Sequence, residues 1–316
     1  MSPKREAVEP GYLTLYEHGE LEARIDAAQA MLARCELCPH RCGARRLAGE
    51  QGICRSGAQP RVSSWTLHSW EEPPVSGTQG SGTIFFSGCT GRCVFCQNYP
   101  ISQLGYGQTV SVERLAAMML ELQRKGAHNI NLVTPTHVMP HILAALPLAI
   151  DHGLRLPLVY NTSGYERVES LRLLEGVIDI WLPDSKYADS TVARRLSGFE
   201  NYVKFNRLAL AEIYRQVGDR LVLDKEGIAR RGMIVRHMVL PGGLAGTEEV
   251  LAWLSHSLSP RIHVSLMDQY FPAHRALDHP VLGRKIHGHE YEAALEAFDA
   301  AGLTRGWRQT TGEESC

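Results

Sequence analysis

Apolar segments rich in β-branched residues alternate with helical patterns over most of the chain. In the first such pair, the strand pattern TIFFSG at residues 83–88 precedes a helical pattern at residues 111–126, with Ser111 as its N-cap and Gly126 as its stop. Five more pairs follow. The later predicted strands lie at residues 129–135, 156–164, 177–184, 232–243 and 262–270, and the later predicted helices at residues 137–153, 166–176, 200–218, 246–258 and 289–302.

Strands that each precede a helix are typical of a parallel sheet, which is buried on both faces and joined by right-handed crossovers. An open doubly wound sheet and a (β/α) barrel both fit this α/β alternation. In either architecture we expect the chemistry in the loops that follow the carboxyl ends of the strands.

The segment ahead of the first strand has a different character. A helix is predicted at residues 21–33, followed by the loop-like CELCPHRCGARRLAGEQGIC at residues 35–54 and a strand-like stretch at residues 61–70. The breaker-rich EEPPVSGTQGSG at residues 71–82 predicts a boundary. We therefore expect an N-terminal helix and Cys-rich metal-binding appendage at residues 1–78, a main domain at residues 79–310 and a polar tail at residues 311–316.

Charge and hydropathy argue against several classes of protein. With 33 Lys and Arg against 34 Asp and Glu, the chain offers no electrostatic support for nucleic-acid binding. The opening MSPKREAVEP lacks the apolar core of a secretory signal, and no apolar run approaches the ~20 residues of a membrane helix. These features predict a soluble, cytoplasmic protein with no membrane or nucleic-acid partner.

The cysteines are concentrated in one part of the chain. Seven of the eight lie between Cys35 and Cys96, and the eighth is the last residue, Cys316. Without an export signal, closely spaced thiols favour metal binding over disulfides, which are the less favoured alternative.

Three of these thiols follow the first predicted strand, in SGCTGRCVFCQN. Iron–sulfur clusters normally take four thiolates, so Cys89, Cys93 and Cys96 would hold three irons of a [4Fe–4S] cluster and leave the fourth open to a ligand. Catalytic zinc sites keep an open position for the same reason. A zinc site completed by a distant histidine is the alternative.

CTGRCVFC at residues 89–96 resembles the C-x3-C-x-aromatic-C signature of the radical S-adenosylmethionine (SAM) superfamily. The resemblance implies that the amino and carboxylate groups of SAM chelate the fourth iron. It also implies that an electron from the reduced cluster splits SAM into methionine and a 5′-deoxyadenosyl radical, which abstracts hydrogen. Phe95 would then lie near the adenine, with plain core packing as the alternative.

Three later strand ends resemble those of the pyruvate formate-lyase activating enzyme and its uncharacterised relatives. YNTSG at residues 160–164, LPDSK at residues 182–186 and RHMVLPG at residues 236–242 match the strands that contact SAM in that branch. A cation and hydrogen-bonding groups at strand ends suit a carboxylate and ribose hydroxyls. The resemblance implies cofactor or active-site roles for Asn161, Ser163, Asp184, Lys186, Arg236 and His237.

The second strand end departs from that branch, which usually carries G-G-E-P there. This chain has NLVTPTHVMP, so Thr134, Thr136 and His137 would have to supply the contacts to the amino group of SAM. The departure bears on whether the chain activates a glycyl radical enzyme, and not on the cluster.

The four upstream thiols, Cys35, Cys38, Cys42 and Cys54, have the spacing C-x2-C-x3-C-x11-C. Four ligands suit a closed site, which is either structural zinc or an auxiliary [4Fe–4S] cluster. The sequence leaves the metal open.

Two further features lie near the predicted mouth. Glu71 and Glu72 would gate the site or bind a basic substrate, although paired acids in a loop are usually solvated. Tyr270 closes the sixth strand and, with His237, is a candidate catalytic residue.

Together these features imply a partial (β/α)6 radical SAM barrel with a Cys-rich N-terminal appendage. The expected activity is that of a radical SAM oxidoreductase that takes electrons from a flavodoxin or ferredoxin. Its substrate would be a glycine of a partner protein, another peptide or a small molecule. The alternative is an iron–sulfur or zinc-bearing electron carrier or scaffold without SAM turnover.

Overall fold

The computed structural model describes residues 8–308, so Cys316 and the predicted tail lie outside the described residues. The strands are β1 (Arg61–His68), β2 (Ser81–Phe86), β3 (Gln108–Thr109), β4 (Ile130–Val133), β5 (Leu158–Thr162), β6 (Ile180–Pro183), β7 (Val222–Leu223), β8 (Ala229–Met238), β9 (His263–Met267) and β10 (Gly306–Arg308). The helices are α1 (Gly11–Glu17), α2 (Glu20–Ala30), α3 (Pro73–Ser76), α4 (Tyr99–Ser102), α5 (Val112–Arg124), α6 (Met139–Asp151), α7 (Val168–Leu173), α8 (Ser190–Ser197), α9 (Tyr202–Val217), α10 (Thr247–Trp253) and α11 (Gly288–Ala300).

The six predicted strands are confirmed as neighbours in one sheet. Strands β2, β4, β5, β6, β8 and β9 follow one another in that order, and every adjacent pair is parallel. The short β10, which the sequence pattern did not indicate, adds a further parallel strand beside β9. This is a mostly parallel α/β sheet of the partial-barrel kind.

The first strand lies in the same sheet. β1 pairs antiparallel with β2 and, on its other side, with β3. The boundary predicted at residue 78 therefore falls in the connection between two paired strands.

Helices cover the outer face of the sheet. Leu132, Tyr160 and Trp181 lie side by side on adjacent strands, and they pack in one buried cluster with Met119 of α5 and Leu146 of α6. Ser111 caps α5 as predicted, with its side chain accepting from the Arg114 N–H over 3.2 Å. No helix within residues 8–308 combines the length and the apolar character that crossing a bilayer requires.

The inner face of the sheet forms a lumen, which places the site. Side chains of directly paired residues project to the same face, so Asn131 lies beside Val159, and Val159 beside Ile180. Val159 and Ile180 also form a small apolar cluster with Val75, which lies in α3 ahead of β2. The lumen thus has an apolar floor at the amino ends of the strands and polar residues above it.

Candidate active site

The Cys-rich loop begins where β2 ends. Gly88 has a φ of +89°, and a Cβ atom there would lie 2.5 Å from the carbonyl oxygen of Cys54 and 3.3 Å from Nε2 of His137. Only glycine accommodates this conformation and this close approach. The loop therefore leaves the strand directly against the N-terminal Cys-rich segment, at the carboxyl edge of the sheet.

Cys89, Cys93 and Cys96 are free thiols and each is partly exposed. The Gly91 N–H donates to Sγ of Cys89 over 3.3 Å. Burial and the neighbouring thiols raise the pKa of Cys89 to about 12. Burial also raises the pKa of Cys93, against the opposing effect of Lys186. The two thiols are therefore protonated until a metal displaces their protons, so that metal binding releases protons.

Four of the predicted cofactor residues meet at the ends of three strands. Nζ of Lys186 lies 2.6 Å from Oδ2 of Asp184, and Nε of Arg236 donates to Oδ1 of the same carboxylate over 3.1 Å. Nη2 of Arg236 also donates to Oδ1 of Asn161 over 2.5 Å. The carboxyl ends of β5, β6 and β8 thus bring distant parts of the chain together, as the parallel sheet requires.

Asp184 holds the two cations in place. Burial acts to raise the pKa of Asp184, but the charges of Lys186 and Arg236 outweigh burial and keep that pKa below its ordinary value. Burial acts to lower the pKa of Lys186, but Asp184 and the Cys93 thiol keep that pKa above its ordinary value. Lys186 is therefore a fixed cation beside the thiol loop, suited to a carboxylate ligand.

The end of β4 separates the three residues proposed for the amino group of SAM. Thr134 has a φ of +57°, which is a strained conformation for a β-branched residue, and its N–H donates to the Asn161 carbonyl oxygen over 2.9 Å. Thr136 donates instead to Oε1 of Glu166 over 2.5 Å. Nε2 of His137 lies 2.9 Å from the carbonyl oxygen of Ser87. Of the three, Thr134 alone lies next to the Asn161 strand end.

Ser163 has a hydroxyl that is ready for a ligand. Its Oγ is buried and has no hydrogen-bond partner among the described residues. Its carbonyl oxygen accepts from the Tyr202 hydroxyl over 2.9 Å, which fixes the loop. A buried hydroxyl without a partner fits a polar cofactor contact.

Both candidate catalytic side chains are already bonded. The Tyr270 ring is buried against Phe95, with 5.8 Å between the ring centroids, and its hydroxyl donates to the Leu282 carbonyl oxygen over 2.7 Å. His237 is fully buried; its Nδ1 lies 2.6 Å from the Ser185 carbonyl oxygen and its Nε2 lies 3.0 Å from Oγ1 of Thr247. Phe95 and Tyr270 belong to one aromatic cluster beside the thiol loop.

The four N-terminal cysteines are also free thiols. Cys35, Cys38 and Cys54 are buried and Cys42 is exposed. Backbone hydrogen bonds fold the segment on itself, with the Cys35 N–H donating to Ala44 and the Gly43 N–H donating to Cys35, each over 3.0 Å. Burial raises the pKa of Cys38, and the nearby Cys54 and Cys35 thiols add to this effect.

A buried arginine lies beside these thiols. Arg46 is 0% exposed; its Nη1 donates to the His137 carbonyl oxygen over 2.7 Å and its Nε to that of Gly57 over 3.0 Å. Nη2 has no partner among the described residues, and the guanidinium opposes the burial that raises the pKa of Cys35. An arginine in the run GARRLAG reads as solvated, so nothing in the sequence pointed to this one.

The two groups of cysteines occupy neighbouring positions, which the sequence did not indicate. Nε2 of His40 lies 2.8 Å from the carbonyl oxygen of Thr90, inside the thiol loop. Arg92 of that loop donates to the carbonyl oxygen of Ile53, next to Cys54. The N-terminal segment therefore packs on the loop rather than apart from it. Within residues 8–308, however, no three His, Cys, Asp or Glu side chains already surround a common point suited to an ion.

Glu71 and Glu72 are not solvated as the sequence suggested. Paired loop acids are usually solvated, but the Glu71 side chain is only 9% exposed and Glu72 is buried. Glu71 lies inside the barrel, because Asn131 of β4 donates to Oε1 of Glu71 over 3.0 Å.

Comparison with known proteins decides the family. The profile of the Radical SAM superfamily matches residues 83–223, which include the three-thiol loop and the strand ends of β5 and β6. An uncharacterized protein of Methanocaldococcus jannaschii is 32% identical over 295 residues, which are 90% of this chain and 79% of that protein. The chain belongs to the radical SAM superfamily.

Two solved structures can be set beside it. A radical SAM methyltransferase from Sphaerobacter thermophilus is 16% identical, with 95% of this chain and 92% of that chain covered and a TM-score of 0.46. Methylornithine synthase is 13% identical, with 69% and 60% covered and a TM-score of 0.42.

Radical SAM enzymes use a [4Fe–4S] cluster and SAM, and the residues present fit both groups. Free thiols at Cys89, Cys93 and Cys96 match the donor chemistry that iron prefers. The fixed cation of Lys186 and the unpartnered Ser163 hydroxyl lie at the same edge of the sheet. These are groups that the carboxylate and hydroxyls of SAM would use.

Proposed function

We propose that Cys89, Cys93 and Cys96 hold the cluster and that the chain turns over SAM to start hydrogen abstraction from a substrate in the lumen. The observation that carries this is the Lys186–Asp184–Arg236 set beside the thiol loop. An electron carrier or scaffold has no need of a buried charge network at three strand ends. The network therefore favours turnover over that alternative.

The side chains of this site would bind SAM and orient it. When bound, the cluster supplies the electron that cleaves SAM to methionine and a 5′-deoxyadenosyl radical. Lys186 would receive the SAM carboxylate, with Asp184 fixing its position. Asn161 and Ser163 would receive hydroxyl groups, and Thr134 would lie near the amino group. Phe95 and its aromatic cluster would shield the adenine side from water.

The substrate is a protein, a peptide or a small molecule that enters the lumen. Activation of a glycyl radical enzyme is one form of this proposal, and it is supported by the resemblance of the strand ends that carry Asn161, Lys186 and Arg236. The altered end of β4 speaks against it, because Thr136 and His137 are bonded to Glu166 and Ser87.

We also propose that Cys35, Cys38, Cys42 and Cys54 hold a second metal centre, either zinc or a [4Fe–4S] cluster. Four bound thiolates leave a net negative charge in either case, and the buried Arg46 guanidinium next to Cys35 would compensate part of it. Iron counting separates the two metals: about four irons per chain mean zinc or no metal upstream, and about eight mean two clusters.

The reducing partner would dock on a basic patch beside the thiol loop. Arg55 and Arg275 both lie close enough to Arg92 to interact with its charge. Arg275 also donates a hydrogen bond to the Arg92 carbonyl oxygen over 2.9 Å. Arg55 and Arg275 are exposed, as are the apolar side chains of Ile53 and Leu104 nearby. This patch complements an acidic flavodoxin or ferredoxin.

Substitution of Lys186 tests the assignment. Lys186→Met should weaken SAM binding to the reconstituted protein about tenfold to hundredfold, because it removes one charge-assisted contact. Lys204→Met, at an exposed lysine of α9, is the matched control and should bind as the wild type. Equal binding by both variants would remove Lys186 from the SAM site.

A further inference from the structure

The polar side chains above the apolar floor of the lumen include more acidic than basic groups. The loop between β1 and β2 enters the amino end of the barrel, where Val75 packs on the apolar floor. Just before it, Oε1 of Glu71 accepts from Nδ2 of Asn131 over 3.0 Å, and Oε2 lies 3.6 Å from Nη1 of Arg236. Glu72 is the next residue, and its carboxylate interacts electrostatically with Arg236 and with Glu71. Glu71 therefore faces the lumen, and Glu72 is buried next to it in the chain.

The cations of the lumen are mostly committed elsewhere. Asp184 has Lys186 at 2.6 Å and Arg236 at 3.1 Å, which are shorter contacts than that of Glu71 to Arg236. Three carboxylates thus share two permanent cations, with the His68 imidazole 3.7 Å from Oε1 of Glu71, and Glu72 has no ion-pair partner of its own among the described residues. A buried carboxylate without a counter-charge is costly.

Two buried acceptors in this region lack a donor. Oε2 of Glu72 and Oδ1 of Asn131 have no hydrogen-bond partner among the described residues, while Glu72 is 8% and Asn131 0% exposed. The amide orientation of Asn131 is fixed by its Nδ2 bond to Glu71, so its oxygen is the free atom. Both orphaned atoms accept and neither donates. A ligand that satisfies them must therefore bring N–H or O–H groups.

The space above these acceptors is reached from the thiol side. The side chains of Lys186 and Arg236 remain 21% and 17% exposed although they lie at the strand ends inside the barrel. Solvent therefore reaches part of the Arg236 side chain, whose Nη1 lies 3.6 Å from Oε2 of Glu71.

We propose that the polar residues just above the apolar floor of the lumen, Glu71, Glu72 and Asn131, bind an ammonium or guanidinium group of the substrate. The proposal rests on the proposed function, since it takes the lumen as the substrate site. The cationic group satisfies both orphaned acceptors and the unbalanced carboxylate. The rest of the substrate then extends past Arg236 toward the thiol loop, where hydrogen abstraction takes place.

Binding of matched probes to the holoenzyme tests this without turnover. The reconstituted enzyme, with its cluster oxidised and SAM present, is titrated with N-acetyl-lysine methylamide, N-acetyl-arginine methylamide and the neutral N-acetyl-norleucine methylamide, and binding is followed by saturation-transfer NMR. At least one cationic probe should bind about tenfold to hundredfold more tightly than the norleucine probe. The lysine and arginine arms distinguish ammonium from guanidinium.

Two variants locate the effect. Glu72→Gln keeps the shape and removes the charge, so it should weaken the cationic probe about tenfold or more and leave the norleucine probe unchanged. Asn131→Ser should act in the same direction. Glu292→Gln, on the exposed face of α11, is the control and should bind as the wild type.

Each outcome bears on one proposal only. Equal binding of the three probes, no binding of either cationic probe, or unchanged binding by the Glu72→Gln variant overturns the cation site. Formation of 5′-deoxyadenosine is measured separately on the same wild-type preparation. If it fails while charge discrimination persists, the proposed SAM chemistry is wrong and the cation site stands.

Discussion

Asp184→Asn is the substitution that most severely perturbs the charge network. The Asp184 carboxylate has a lysine at 2.6 Å and an arginine at 3.1 Å. At an effective dielectric constant of about 20, those separations correspond to gross attractions of about 6 and about 5 kcal/mol. An asparagine keeps the shape of the side chain, but it leaves Lys186 without its counter-charge and Arg236 with only the longer contact of 3.6 Å to Glu71.

The net loss is smaller than the gross attraction, because burial of the three charges is itself costly. Removing one partner of a buried ion pair typically costs about 3–5 kcal/mol. Lys186 and Arg236 keep 21% and 17% of their side chains exposed, so water solvates part of the released charge. We therefore expect a loss of about 3 kcal/mol in the free energy of unfolding, which for a chain of this size lowers the Tm by about 5 °C.

The assay is urea unfolding of the metal-free protein at pH 7.5, followed by circular dichroism. Asp26→Asn, at an exposed aspartate in α2, is the matched control and should unfold as the wild type. SAM binding to the reconstituted protein should fall in parallel for Asp184→Asn, because Lys186 is no longer held. A loss below about 1 kcal/mol, with SAM binding intact, would refute this account of the network.

Three further predictions concern other parts of the site. Thr134→Gly should raise the free energy of unfolding by about 0.5–1 kcal/mol, because it relieves the positive φ of 57°; a loss of similar size in urea would contradict this. Burial lowers the pKa of His237 to about 4. Between pH 7 and pH 4 the unfolded chain therefore takes up a proton at His237 that the folded chain largely does not. This difference should lower the free energy of unfolding of the wild type by about 3 kcal/mol at pH 4. His237→Gln should remove that increment from urea unfolding measured at the two pH values, and an identical acid loss in both proteins would argue against it. Arg275→Glu should slow reduction of the cluster by flavodoxin and flatten its salt dependence in stopped-flow measurements; an unchanged rate at low salt would exclude the patch.

The sequence predicted those parts of the molecule that follow from local pattern. Buried parallel strands read as continuous apolar segments, so β2, β4, β5, β6, β8 and β9 were all found. Strand ends of a parallel sheet share one edge, so Asn161, Asp184, Lys186 and Arg236 were expected near one another, and they are. The resemblance added a reason to select those four polar residues.

The rest depended on contacts between distant segments, which no local pattern encodes. The buried Arg46 lies in a loop whose composition suggests a solvated arginine, and its partners Gly57 and His137 come from other elements. Glu71 and Glu72 were expected in solvent, but the loop that carries them enters the barrel. The packing of the N-terminal segment on the thiol loop also depends on contacts between segments that are distant in the sequence.

Formation of 5′-deoxyadenosine tests the central claim most directly. The protein is reconstituted anaerobically with iron and sulfide, reduced with dithionite and supplied with SAM, and the products are quantified together with the iron content. We expect 5′-deoxyadenosine and methionine in equal amounts from the wild type and neither from Cys93→Ser. Absence of both products from wild-type protein whose three-cysteine cluster is fully loaded would contradict the account.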